Sequence, residues 1–219
     1  GLFARIRLLQ SDFGGGDGSF QMAPFGELFR TQWRPIMLST CLPLASYALF
    51  HMVTIFPLAY QLLYGSVYVE QLLLWQLAGG VLAIAGVIAS GYFADKFGQR
   101  IVQWGVTLAI PVLCLTITTL ETHPFIYILL GFTLLGFSYG PARSIVPGRF
   151  PPRFRYSGTA LSVNLSWIVG AAFAPLAGLV ITWFFGLWAT SIYLLTAVAI
   201  TVATLYMIDQ GEKQKLDRG

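Results

Sequence analysis

The sequence predicts an all-α integral membrane protein, a bundle of six transmembrane helices. Three observations lead there. Of the 219 residues, 56% are apolar and only 10% are charged, whereas a soluble domain carries about a quarter charged residues because its surface faces water. The mean hydropathy is +0.71, and six stretches reach the roughly 20 apolar residues that cross a bilayer. All 13 basic residues fall on one side of a six-span arrangement. A wrong span count would scatter them over both.

Taken in order, the spans are expected at 35–61, 69–92, 101–120, 125–146, 158–182 and 186–208. The segment 1–34 before the first reads as a soluble cytoplasmic tail. It holds a flexible stretch over 11–19, rich in glycine, serine and aspartate, and at 2–7 the look of an amphipathic helix end. The first span begins too far from the start, and runs too long, for a removable signal sequence. Short connections join the first span to the second, the third to the fourth and the fifth to the sixth. Residues 209–219 form a second cytoplasmic tail. Arg5, Arg7, Arg30 and Arg34 precede the first span, and Lys96 and Arg100 lie between the second and third. Arg143, Arg149, Arg153 and Arg155 lie at or between the fourth and fifth, and Lys213, Lys215 and Arg218 follow the last. The opposite loops hold only Glu70 and Glu121 as charges. The positive-inside rule then puts both termini in the cytoplasm of a multi-pass protein in the cytoplasmic membrane.

Within the spans, small residues recur every three or four positions. The second has Gly79, Ala83, Gly86 and Ser90; the fifth has Ser162, Ser166, Gly170, Ala174 and Gly178. Such ridges let helix backbones approach closely, either inside the bundle or against a partner bundle. Pro43, Pro57, Pro111 and Pro175 invite kinks that membrane helices tolerate. Cys41 and Cys114 lie in apolar runs and read as small core residues.

Enzymatic chemistry is not indicated. The sequence has no HExxH, no GxSxG, no GxxxxGK[ST] and no CxxC. No metal or cofactor is expected. The net charge of +4 belongs to the loops on one side of the bilayer, so it implies lipid headgroups and not nucleic acid.

One polar stripe stands out. In the first span Thr40, Tyr47, His51 and Thr54 fall within an arc of about 60° at 100° per residue on a helix otherwise made of leucine, phenylalanine, isoleucine and valine. His51 is the one ionisable residue deep in a span, and such a group faces the protein interior or a water cavity. It could bind substrate, relay a proton, since imidazole titrates near pH ~6.5, or simply hydrogen-bond within a packed interior. His123, in a short outer loop, reads as solvated.

Between the second and third spans runs Gly91-Tyr92-Phe93-Ala94-Asp95-Lys96-Phe97-Gly98-Gln99-Arg100. This resembles the signature loop of the major facilitator superfamily, both in residues and in its place between helices two and three of a six-helix bundle. In that reading Gly91 admits a neighbouring helix, and Asp95 caps a helix start or pairs with an arginine. Gly98 permits the turn, while Lys96 and Arg100 anchor at headgroups. The resemblance implies a conformational latch on the cytoplasmic side. The segment from Phe150 through Pro151, Pro152, Arg153, Phe154, Arg155, Tyr156 and Ser157 to Gly158 resembles a loop of the metabolite:proton symporter branch. So do Ser138-Tyr139-Gly140-Pro141 and Gly170-Ala171-Ala172-Phe173-Ala174-Pro175-Leu176. Ahead of Phe150 this chain has Arg149 where members often carry an acid.

The resemblance covers the chain from about residue 24 and maps it to the carboxy-terminal half of a twelve-helix transporter. It implies secondary active transport of a small organic acid or zwitterion, driven by a proton, by alternating access. The amino-terminal six-helix half would be the partner. Gln76, Tyr139, Asn164 and Trp167 would join Tyr47, His51 and Thr54 along a central cavity, with interhelical hydrogen bonding as the plainer role of each. A non-transporting sensor or scaffold on the same fold is the alternative.

Overall fold

The computed structural model describes residues 25–65 and 67–216. The stretches expected at 2–7 and 11–19 lie outside the described residues. Among the described residues every regular element is helical. The helices are α1 Phe25–Cys41, α2 Leu44–Tyr64, α3 Val69–Phe97, α4 Gln99–Cys114, α5 Thr119–Thr122, α6 Pro124–Ser144, α7 Arg155–Trp167, α8 Ala174–Phe185 and α9 Ser191–Leu216. They join into six rods. Five helical stretches are long and apolar enough to cross a membrane: Gly26–Tyr64, Val69–Phe97, Pro124–Pro141, Pro152–Phe185 and Leu187–Gln214.

Three of the expected spans need correction. The first rod starts at Phe25, about ten residues before the expected 35, because helix and apolar span are different things. Arg30, Gln32 and Arg34 end the apolar run without ending the helix, since Leu28 and Ile36 are buried on its inner face. The backbone leaves helical geometry at Gln32 (φ −121°, ψ 23°), three residues before Pro35, whose ring crowds the preceding turn. The third rod, expected as a span at 101–120, is not one of those five stretches. Helix α4 stops at Cys114, and a turn and α5 complete it, where Thr116 and Thr119 bond carbonyls three residues back. The fifth rod is not continuous: α7 passes through a π-helical turn over Ile168–Ala172 before α8 begins.

The first rod also breaks between α1 and α2, at Leu42 and Pro43. Proline brings no N–H, so the break leaves backbone groups to satisfy in an apolar place. Thr201 of α9 satisfies two of them. The Ala45 N–H donates to its hydroxyl at 3.1 Å, and the hydroxyl donates to the Cys41 carbonyl at 3.2 Å. The π turn lies against this level of α2, with Gly170 so close that a Cβ there would sit 3.0 Å from the Leu44 carbonyl oxygen. Tyr193 of α9 donates its hydroxyl to the Gly170 carbonyl at 3.1 Å. One helix therefore bonds both irregular turns.

Both small-residue ridges are used inside the bundle. Gly79 faces the Phe132 ring, Gly86 faces the backbone at Thr133 and Gly136, and a Cβ on Gly136 would collide with the Ala83 carbonyl oxygen. The fifth rod's ridge faces the first rod, Gly170 at Leu44 and Gly178 at Phe56, and Ser162, Ser166 and Ala174 are buried with them. A role for these ridges against a separate bundle is overturned, because their surface is already occupied.

The core has two parts. One gathers Leu49, Met52, Phe56, Leu113, Tyr127 and Leu194 among others. The other, at the charged end, packs Leu28, Ile36 and Leu42 of the first rod on Val146, Phe150, Phe154, Leu205 and Ile208. Gly158 lies under the Phe150 ring, 2.5 Å from where its Cβ would be, so the loop carrying the proline pair is seated by that glycine.

Gly136→Ala is expected to lower stability by about 1–3 kcal/mol, the usual cost of overpacking. Gly80→Ala, with nothing within 4 Å of its would-be Cβ, should be neutral or slightly stabilising. Unfolding in mixed micelles, followed by circular dichroism, compares the two.

Candidate functional site

Next to the π turn of the fifth rod, and one to two turns beyond the break in the first, aromatic rings from three rods converge around His51. Tyr47, Phe50 and His51 lie on consecutive turns of α2, Tyr139 comes from α6, and Trp167 closes α7 just before the π turn. The indole of Trp167 meets three α2 rings, with centroids 5.0 Å from Tyr47, 5.2 Å from Phe50 and 5.4 Å from His51. Phe50 stands 5.2 Å from His51, and Tyr47 stands 6.3 Å from Tyr139. Most of these contacts are edge-on, the arrangement the ring quadrupoles favour. His51 Nδ1 is buried with no hydrogen-bond partner among the described residues, an unused hydrogen-bonding position among aromatic rings. Beside it lies a cleft of about 170 Å3 lined by Phe50, Ala83, Ile84, Val87, Leu135 and Tyr139.

The remaining sequence candidates divide. Thr54 donates to its own helix at Phe50 O (2.7 Å), and Gln76 donates to the Thr54 carbonyl (2.6 Å), so these two tie α3 to α2. Thr40 lies beyond the break, buried, its hydroxyl without a partner among the described residues. Asn164 is exposed one turn ahead of Trp167. Phe50 was not anticipated. Its signal was present, since it sits three residues after Tyr47 and next to His51, but a phenylalanine on an apolar helix carries no mark of its own.

The signature segment is mostly helix. Helix α3 runs to Phe97, so Asp95 lies in its last turn and not at a helix start. It is exposed, and no hydrogen bond or ion pair reaches it from the described residues. A carboxylate at a helix C-terminus is disfavoured by the dipole by about 0.3–1 kcal/mol. Gly91, expected to admit a close helix, has nothing within 4 Å of its would-be Cβ. Lys96 sits over the Phe97 ring, 5.2 Å from its centroid. Gly98 makes the turn with φ +91°, a conformation that L side chains avoid.

Arg100 departs from the expected headgroup anchor. It bonds Asp209 (3.3 Å) and Glu212 on α9, and Trp104 donates to the other Asp209 oxygen at 3.0 Å. Arg149 reaches the same Glu212 only at 3.7 Å, and its Nε is buried without a partner among the described residues. The hydrogen bond that Arg100 donates to the Glu212 carboxylate raises its guanidinium above its ordinary value, whereas desolvation lowers Arg149. Arg153 pairs with Glu27 at 2.9 Å, fastening the proline loop to α1, and Arg155 is exposed.

Trp167→Ala should destabilise the protein by about 1–3 kcal/mol, since edge contacts of this kind are worth ~0.5–1.5 kcal/mol each. Trp167→Phe should recover part of that. Thermal unfolding of the purified variants gives the comparison.

No protein-family model matches the chain, and no solved structure matches it. Curated proteins do. A Haemophilus influenzae (strain Rd) protein named for metabolite transport is 28% identical over 99% of this chain and 53% of its own length. The inner membrane metabolite transport protein YhjE of Escherichia coli (strain K12) is 29% identical over 88% of this chain and 46% of its own. A second Haemophilus influenzae protein named for metabolite transport is 27% identical over 88% and 46%. The chain spans about half the length of the curated relatives it matches. These names describe transport and not enzymatic activity, in accord with the sequence reading. The relatives bear out the resemblance to a metabolite transport protein: this all-α membrane chain is similar, over 88–99% of its length, to about half of each of them.

Proposed function

We propose that the chain is the carboxy-terminal six-helix half of a proton-coupled carrier for a small organic acid or zwitterion. The carrier works by alternating access against an amino-terminal half, and both ends of this chain lie in the cytoplasm. The observation that carries the reading is the His51 cluster, which meets the fifth rod at its π turn and lies one to two turns beyond the break in the first rod. Discontinuous helices meeting near the middle of a bundle are where transporters of this kind build sites. His51 offers one unpartnered nitrogen there, suited to a carboxylate or to a proton. The basic end of the bundle supports the orientation.

Other features favour a partner half. Gly91 and Asp95, two of the five residues of the latch motif, face away from this bundle. The outer faces of α3 and α8 are broadly apolar, with Leu77, Ile88, Trp183 and Phe184 each about 70% exposed. They would be covered by lipid or by the second bundle. Asp95 would find its helix end or arginine there.

His51→Ala in the full-length protein should cut gradient-driven uptake by about tenfold or more, the effect of ~1.4 kcal/mol, while His123→Ala leaves it unchanged. Full uptake and an unaltered pH profile in His51→Gln would remove the proton role. Substrate binding with no uptake in the native protein would point instead to a sensor.

The chain alone, reconstituted in proteoliposomes under a proton gradient, should show no saturable uptake, because alternating access is motion of one bundle against another. Saturable, gradient-driven uptake by the chain alone would show that two copies suffice and would end the half-transporter reading.

A further inference from the structure

At the charged end, α4, the end of α6, the turn at Pro147–Arg149 and α9 enclose an open cavity of about 500 Å3. Gly98, Gln99, Arg100, Ser144, Gly148, Arg149 and Glu212 line it. We propose that this cavity binds the phosphate group of a membrane phospholipid, held chiefly by Arg149.

The two arginines differ in a way that matters. Arg100 has its carboxylates, Asp209 and Glu212, within bonding distance. Arg149 shares Glu212 at 3.7 Å, too long for a hydrogen bond, and its Nε is buried without an acceptor among the described residues. Arg149 lines the cavity and stands beyond hydrogen-bond distance of its carboxylate, and a planar guanidinium so placed suits a bidentate oxyanion. Burial disfavours its charge, so an arriving anion is stabilised by what Arg149 lacks. The first turn of the 16-residue α4 opens on the same space with no side-chain cap. Its free amide N–H groups add a second set of donors.

The surroundings choose the source of the phosphate. Phe97 and Ile101, 48% and 64% exposed, flank the cavity wall at Gly98 and Arg100. Leu108 and Val112, 58% and 56% exposed, continue the apolar face along α4. Acyl chains have a track leading away from a cationic pocket at the bundle's end. A free anion would need the pocket and not the track. This site does not depend on which metabolite, if any, the protein carries.

The test is lipid retention by the full-length protein, released from nanodiscs of mixed phosphatidylglycerol and phosphatidylcholine and weighed by native mass spectrometry. Wild type should keep phosphatidylglycerol, and Arg149→Gln should lose it by about tenfold, the scale of one charge-assisted hydrogen bond. Arg149→Lys should fall between, and Arg153→Gln should match wild type. Glu212→Gln, which removes the competing carboxylate, should keep more lipid than wild type. Displacement by excess inorganic phosphate would retain the anion site and discard lipid as its source. Equal retention by wild type and Arg149→Gln would overturn the site, as would a loss of lipid in Glu212→Gln where Arg149→Gln does not fold.

Discussion

Inside an apolar surround, each peptide N–H and C=O must find its partner within the protein, since nothing outside can supply one. Most of this chain meets the constraint by being helix. The interesting places are those where it is not. The break at Leu42 and Pro43, the π turn at Ile168–Ala172 and the kink before Pro35 all release backbone groups. Side chains of α9 answer two of these: Thr201 at the first and Tyr193 at the second. Tyr127 similarly crosses from α6 to bond the Met52 carbonyl of α2 at 3.1 Å.

A second constraint is distance. Where α3 meets α6, glycine at Gly86 and Gly136 brings backbone against backbone, and dispersion between close surfaces holds the pair. That leaves little freedom between these rods. The looser side of the bundle is outward, where α3 and α8 present large apolar side chains. Rigid pairing within and open apolar faces without are what a bundle needs if it is to move as one body.

Hydropathy read the rods well because the cost of exposing polar groups to lipid is written into composition. It read their ends less well. The start at Phe25 is set by Leu28 and Ile36 packing against Phe150, Phe154 and the α9 residues Leu205 and Ile208, a tertiary fact hidden behind Arg30 and Arg34. The π turn has no unique local code: Gly170 and Pro175 flank or occupy it, as they could an ordinary helix. Of the site, the 100° stripe brought out Tyr47, His51 and Thr54, and the family resemblance brought in Gln76, Tyr139, Asn164 and Trp167. The structure gathers Tyr47, His51, Tyr139 and Trp167, commits Thr54 and Gln76 to backbone bonding, and sets Asn164 outside. Phe50 and the pairing of Arg100 with α9 needed coordinates. Charge counts place an arginine at an end of the bundle but cannot say which carboxylate it turns to.

The hydroxyl of Thr201 holds an atom on each side of the break in the first rod, accepting from Ala45 and donating to Cys41. A threonine side chain has few χ1 settings, separated by staggered wells. Any change in the angle between α1 and α2 must therefore either keep both bonds or surrender one and turn the side chain to a different well. The joint behaves as a detent and not as a free hinge. A bend there comes in steps, and each step is felt first by α9.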